Sequence, residues 1–487
     1  MAWLVGSRIL RVPINVLILA LLARALGPQG VGIYALTQGA AVLLHSGLLQ
    51  WLQAPLVFFG RPEWDLTGSV RATLIARLPL LLAGMLVAVA LVIVDPGNWL
   101  HRVFGLSGST LGLVALALLG IWLMSEAQSL CEIAGAMRPL ALAPLISDGI
   151  VTLGLLGLWL SGNVTVSVSH VLLLVYSVPV VIWGSLLVLG LGWTGAGLKH
   201  PQARRVRDIV CYGWPLLPGL LISWTFEWSG PLIIEHFHGK HEVGLYQVAF
   251  RISQAMLALS VPLTSVLMPM LISQRTGDPR AIRDFLANSA PTIVALWLLL
   301  ILPILAVLPE VIGLFFGERF QASAQALAIL SLAVPGSIII TVYGAAFTAE
   351  GRLFRTAVLY SLLMTSISLA ATVVLVPRMG MIGAAAATAA GYLAVQTAYF
   401  VDQHRRFDIS MIRLFPLLAA ALALAACFAI FYGSPIVRLV LGIVGFLCLG
   451  ALVRHNRLVH IASFNNPLQP PWDRVGGLVQ RLLCPQR

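Results

Sequence analysis

The chain has 487 residues, 59% of them hydrophobic and 10% charged, with a mean hydropathy of +0.95 and a formal charge of +12. That is too little polar surface to coat a soluble globule, and the apolar residues come in runs of about 18 or more, the length that crosses the hydrocarbon core of a bilayer. The positive charge does not argue for nucleic acid, because only two of the 30 basic residues are lysines (Lys199 and Lys240) and most lie in short links between apolar runs.

The apolar runs predict an all-α membrane protein with fourteen spans, at 5–26, 31–59, 71–94, 110–134, 140–161, 166–193, 209–237, 243–273, 288–316, 322–349, 355–377, 381–402, 411–433 and 435–453. Span 1 ends in Ala23-Arg24-Ala25, which mimics a signal-peptide cleavage site. Its charged start is short and begins Trp3-Leu4-Val5, so we read a retained first helix. With the N-terminus inside, 23 of the 30 basic residues fall in or beside inner links and six (Arg24, Arg102, Lys240, Arg319, Arg378 and Arg438) in outer ones, Arg251 lying within a span. This bias sets the orientation, with both termini cytoplasmic. The five cysteines (Cys131, Cys211, Cys427, Cys448 and Cys484) are scattered and outline neither a disulfide framework nor a metal site. No link is long enough to bury a core of its own. The tail after Arg454, with Pro467, Pro470, Pro471 and Pro485, reads as a loose cytoplasmic strap.

The stretch GPQGVGIYALTQG (27–39) returns as HEVGLYQVAFRIS (241–253), so Val31, Gly32 and Tyr34 correspond to Val243, Gly244 and Tyr246, 212 residues on. A weaker echo pairs AGAMRPLAL (134–142) with AEGRLFRTAVL (349–359). Two echoes in order imply that spans 1–6 and 7–12 are copies. Six is even, so the copies point the same way, as in transporters built from parallel repeats. The expected organisation is a six-helix lobe over 1–198, a basic cytoplasmic linker at 199–208, a second lobe over 209–402, two further helices over 403–453 and the tail at 454–487.

Four stretches carry a family resemblance: LLARALGPQGVGIYAL, VGLYQVAFRISQAML, LFFGERFQASAQALAILSLAVPGSII and VLVPRMGMIGAAAATAAGYL. In this order they resemble the polysaccharide-exporter branch, including the Wzx-type flippases, of the multidrug/oligosaccharidyl-lipid/polysaccharide (MOP) superfamily. The resemblance runs from about residue 5 to 402. It implies two six-helix lobes around a central cavity and transport of lipid-linked glycans to the outer leaflet by alternating access. The implied setting is a bacterial inner membrane, in the making of a surface polymer such as lipopolysaccharide or exopolysaccharide. The implied partners are the lipid-linked glycan, membrane lipids and other polysaccharide-assembly proteins; no enzyme activity and no cofactor beyond a coupling proton or sodium ion is expected.

Turning a pyrophosphate through hydrocarbon calls for cations, and arginine suits phosphate because its planar fork donates two hydrogen bonds and stays charged. A charge at membrane depth costs about 2.5–3.5 kcal/mol, so each one should face a cavity or a partner. Glu227 and Arg251 lie roughly 15 and 12 Å from the outer ends of adjacent spans, a match in depth that allows a pair. Family members often carry an arginine at the place of Arg251 and an acid near that of Glu227, while the N-terminal copy has Gly39 where Arg251 would stand. Both a helix clamp and a substrate contact fit this pair. Arg11, Arg77, Glu126 and Asp148 fall about 9–12 Å from the inner boundary. They read either as snorkelling and structural charges or as a site for the diphosphate, with Asp148 first and Glu126 second as coupling acids. Arg8, Arg11 and Asn15 share one helix face. Arg24, beside the Gly27-Pro28 turn, stands where the family recurrently has an arginine and is carried as an outer-gate or substrate residue.

The outer link EHFHGKHE (235–242) reads as a polar hairpin rather than a metal site, since it lacks the cysteines of a structural zinc centre. Pro215, Pro218, Gly219, Gly230 and Pro231 make span 7 bendable. Two rival classes make different demands on the sequence. A multidrug exporter of the same superfamily calls for unpaired acids deep in a lobe, and a membrane glycosyltransferase or polymerase for a long outer loop or an acidic metal cluster. Here cations match or outnumber acids at membrane depth, and the sequence has neither a D-x-D motif nor a long outer loop.

Overall fold

In the computed structural model, residues 2–108, 110–160, 167–189, 206–260, 263, 267, 271, 285–349, 353–407 and 415–455 are described. Every regular element among them is helical. In chain order these are α1 (Ala2–Leu48), α2 (Gln53–Thr67), α3 (Arg71–Ile93), α4 (Trp99–Phe104), α5 (Thr110–Ala134), α6 (Met137–Leu160), α7 (Val168–Leu189), α8 (Val206–Gly213), α9 (Leu217–His238), α10 (Lys240–Ala258), α11 (Ala290–Phe316), α12 (Ser323–Leu330), α13 (Ser337–Ala349), α14 (Leu353–Phe407), α15 (Phe415–Ile430) and α16 (Pro435–His455).

Two of these runs are too long to be single crossings. α1 has 47 residues and α14 has 55, whereas about 20 residues span the hydrocarbon core. Each is broken at a glycine. Gly27 (φ 65°, ψ 178°) divides α1 and Gly380 (φ 56°, ψ −132°) divides α14, at the links expected between spans 1 and 2 and between spans 11 and 12. An extended backbone with positive φ is open almost only to glycine. With both breaks counted, helix makes up most of the described residues of each of the fourteen predicted spans, with turns at 334–336 and 431–433 inside two of them. Among the described residues, ten helical runs are by length and composition sufficient to cross a membrane, two of them the bent ones. The repeat holds in the backbone too, for Gly239 adopts φ 81° and ψ 177°, close to Gly27, its counterpart 212 residues earlier.

The chain divides into two compact units. The first comprises residues 1–251, 315–322 and 368–387. In it α1 packs along α5, α6 and α9, and α5 along α7. Among the buried residues of α1 are five alanines, Ala20, Ala23, Ala35, Ala40 and Ala41. That composition suits helices in lipid, where close backbone approach replaces the hydrophobic drive. The second unit comprises residues 252–314, 323–367 and 388–487. Its centre is the α12–α13 run, 78% buried over its most apolar window against 17–39% for the candidate spans outside this unit. α15 packs on α12 and on α16. The first unit extends past the basic link expected to separate the lobes and takes in α8, α9 and α10 as far as Arg251. Residues 199–205 of that link and the tail beyond 455 lie outside the described residues.

Between α2 and α3 the chain turns on a carboxylate. Buried Glu63 accepts the Ala72 N–H (2.7 Å), the Thr73 N–H (2.9 Å) and the Thr73 hydroxyl (2.6 Å). The N-cap residue of α3, Val70, has no side chain able to do this. Glu63→Ala is therefore expected to lower stability by about 1–3 kcal/mol, read as a lower midpoint when the detergent-solubilised protein is heated. An unchanged midpoint would show that water replaces the carboxylate.

Candidate functional site

The residue at the centre is Arg251 in α10. Its Nη1 lies 3.6 Å from Glu227 Oε1 and its Nη2 donates to Gln38 Oε1 at 3.4 Å. Its guanidinium carbon stands 5.9 Å from the Trp228 ring centroid, within cation–π range. About a third of each side chain of the pair is exposed, 33% for Arg251 and 38% for Glu227. Both contacts are long for charge-assisted bonds. The arginine is held, and loosely.

The local sequence explains the placement. Glu227 and Trp228 sit one turn before Pro231 in α9. A proline there has no N–H to give the Glu227 carbonyl, which loosens the helix beside the site. Gly39 of α1 makes room: a Cβ at that position would lie 2.5 Å from Trp228 Cε3. The Trp224 indole donates to the Gly39 carbonyl at 3.1 Å. The repeat's broken symmetry now has a physical sense. Where one copy carries Arg251, the other carries a glycine whose empty space is filled by the indole packed against that arginine.

Two tyrosines complete the surroundings. Tyr34 and Tyr176 stack with centroids 5.9 Å apart, and the Tyr176 hydroxyl donates to the Tyr34 carbonyl at 3.2 Å. Tyr34 lies within Coulombic range of both Arg251 and Asp148. Arg251 and Asp148, expected in two separate layers, are thus both neighbours of Tyr34.

Arg11 meets Asp148, Nε to Oδ2, at 2.8 Å, with 32% and 17% of the side chains exposed. The side chain of Arg8 lies outside the described residues, and Asn15 is exposed. Arg77 and Glu126 form a two-pronged pair, with both nitrogen–oxygen distances 2.6 Å and exposures of only 2% and 8%. Both Glu126 oxygens are therefore occupied. Close by, His45 is buried, within 3.2 Å of the Gln53 amide nitrogen and within Coulombic range of Arg77. Arg24 is engaged elsewhere, its Nε donating to the Phe315 carbonyl at 2.8 Å near the end of α11, with Trp159 beneath its guanidinium. In the second unit Arg438 of α16, expected near an outer link, is buried and paired with Glu310 of α11.

Reading the chain alone did not find Gln38, Tyr34, Tyr176 or Trp228. The available signal was Gly39, which stands where the repeat calls for an arginine. In the outer hairpin His238 donates Nε2–H to the Val376 carbonyl and Glu242 accepts the Met381 N–H. Among the described residues no group of three histidines, cysteines or acids is placed to hold a metal.

Comparison with known proteins places this geometry in context. A protein family described as "Polysaccharide biosynthesis protein" matches residues 147–325. A probable low-salt glycan biosynthesis flippase, Agl15 of Haloferax volcanii, is 26% identical over 216 residues, 43% of this chain and 44% of that protein. The match thus takes in less than half of that relative's length. Among solved structures, the lipid II flippase MurJ in an inward closed conformation aligns with a TM-score of 0.64 at 14% identity, covering 93% of this chain and 98% of the other. A multidrug-resistance MATE transporter of the MOP superfamily, inward-facing, aligns with a TM-score of 0.58 at 16% identity, covering 81% and 94%. At these identities the two structures establish a shared fold.

Proposed function

We propose that this chain, which carries the fold of the MOP superfamily, is a flippase that moves a polyprenyl-pyrophosphate-linked oligosaccharide from the cytoplasmic to the outer leaflet by alternating access. Arg251 is the residue that meets the diphosphate, and one observation carries the assignment. It is an arginine well inside a membrane span, a third exposed and held only by long contacts to Glu227 and Gln38, whereas Arg77 is sealed in a tight pair. A guanidinium held this way exchanges a weak carboxylate contact for a two-pronged bond to phosphate. The partial match to a flippase described as acting in glycan biosynthesis supports the same reading.

In this reading the protein lies in a bacterial inner membrane with both termini cytoplasmic, the lobes are 1–198 and 209–402, and the product feeds a surface polysaccharide together with other assembly proteins. Arg11 meets the substrate at the cytoplasmic side. Asp148, bound to it by one contact at 2.8 Å, is the acid that takes a coupling proton or sodium ion. Arg77 and Glu126 hold α3 on α5, and Arg24 acts at the outer gate.

The test is reconstitution into sealed vesicles with a polyprenyl-pyrophosphate oligosaccharide, following exposure of the glycan to an impermeant probe. Protein-dependent exposure is the expected outcome. Failure with every glycan lipid offered, alongside ion-driven efflux of cationic dyes, would move the chain to the drug-exporter branch.

A further inference from the structure

The repeated motif brings two glycines together. A Cβ on Gly32 would lie 2.0 Å from the Lys240 carbonyl oxygen, and one on Gly244 would lie 1.8 Å from the Pro28 carbonyl oxygen. Lys240 stands four residues before Gly244, and Pro28 four residues before Gly32. Each helix start therefore lays a carbonyl across the other's glycine, a reciprocal crossing with local two-fold symmetry. Real Cβ atoms do not come within 3.0 Å of such neighbours, so no side chain fits at either position while the crossing is closed.

The crossing is strapped at its rim. Lys240 Nζ donates to the Gly105 carbonyl at 2.6 Å. His238 Nε2 donates to the Val376 carbonyl at 2.9 Å, and Glu242 accepts the Met381 N–H at 3.0 Å. Each strap ends at or near a glycine turn of positive φ, Gly105 or Gly380. These bonds run between side chain and backbone, and of the side chains that make them His238 is exposed and Lys240 and Glu242 are only partly buried. Water can replace them when the helices part.

We propose that Gly32 and Gly244 are the contact of the outer gate, made and broken in each transport cycle, with Lys240 as its main strap. The proposal rests on the alternating-access reading above, whose topology puts these turns on the outer side. It explains why a transporter repeats the same stretch. A backbone-on-backbone contact needs a glycine on both helices of the crossing. Gly32→Ala and Gly244→Ala are each expected to hold the gate ajar.

The experiment places spin labels at Gln29→Cys and His241→Cys, two exposed positions flanking the crossing, in full-length protein whose native cysteines are replaced, in vesicles without substrate. The parent is expected to show a short-distance population, and each glycine variant to lose it. Distributions that coincide with the parent's in both variants would overturn the proposal. If neither variant folds, Lys240→Gln serves, with an expected rise in the long-distance population; no rise would count against the strap. A cleavable cross-linker joining the two thiols should stop flipping, and cleavage should restore it. Flipping that persists while cross-linked also overturns the gate. Absence of flipping before cross-linking would instead count against the flippase reading, while the distances still report on the crossing.

Discussion

Arg251→Ala is expected to cut flipping roughly 10- to 150-fold while the protein still inserts and runs as a single species, because a hydrogen bond to a charged group contributes about 1.5–3 kcal/mol. The loss should fall on transport and not on folding. Arg251 is a third exposed and its bonds to Glu227 and Gln38 are long, so removing it breaks little that holds the helices. Arg251→Lys should recover only part of the activity, since an ammonium is a point charge without the planar fork. Glu227→Gln separates the two roles left open for the pair. If Glu227 serves only to park the guanidinium, the amide variant keeps flipping. If the ion pair clamps α9 on α10, the amide variant and Arg251→Ala should lose thermal stability together. The measurements are initial rates in sealed vesicles and melting midpoints in the same detergent. Unchanged flipping in Arg251→Ala would remove this residue from the substrate path.

The second large effect is expected at the opposite kind of pair. Glu126→Ala leaves Arg77, 2% exposed, as an uncompensated buried charge, and breaking such a pair costs about 3–5 kcal/mol. We expect little folded protein from this variant. Replacing both partners together, Arg77→Met with Glu126→Leu, should restore folding, because well-packed apolar residues of similar volume often match or exceed a buried ion pair. The doubly substituted protein then decides the role. Flipping at the parent rate would assign the pair to structure, as its closed geometry argues. A folded but inactive double variant would return Arg77 and Glu126 to the substrate or coupling machinery, where their depth in the membrane first placed them.

The spans and the repeat were legible in the chain because each has a one-dimensional cause. The hydrocarbon core requires an apolar run of about 20 residues, and a duplicated motif shows as a repeated string. Gly32 and Gly244 showed in the repeat, while the match of Gly27 to Gly239 appears only in their backbone angles, which are open almost only to glycine. The charges worth attention were equally visible, since a charged side chain within a span is costly and therefore rarely idle.

Which charge meets which was decided only by the tertiary structure. Depth placed Arg11, Arg77, Glu126 and Asp148 in one layer, and helix packing sorted them into Arg11–Asp148 and Arg77–Glu126. Gln38 and Trp228 joined Arg251 from helices up to 213 residues away along the chain. Gly32 and Gly244 reveal why they are glycines only when each is seen beneath the other's carbonyl. Crossing a membrane is a property of composition along a single helix. The rotation of that helix, and the neighbour it presents each face to, come from close packing among many, and no single stretch of sequence contains that.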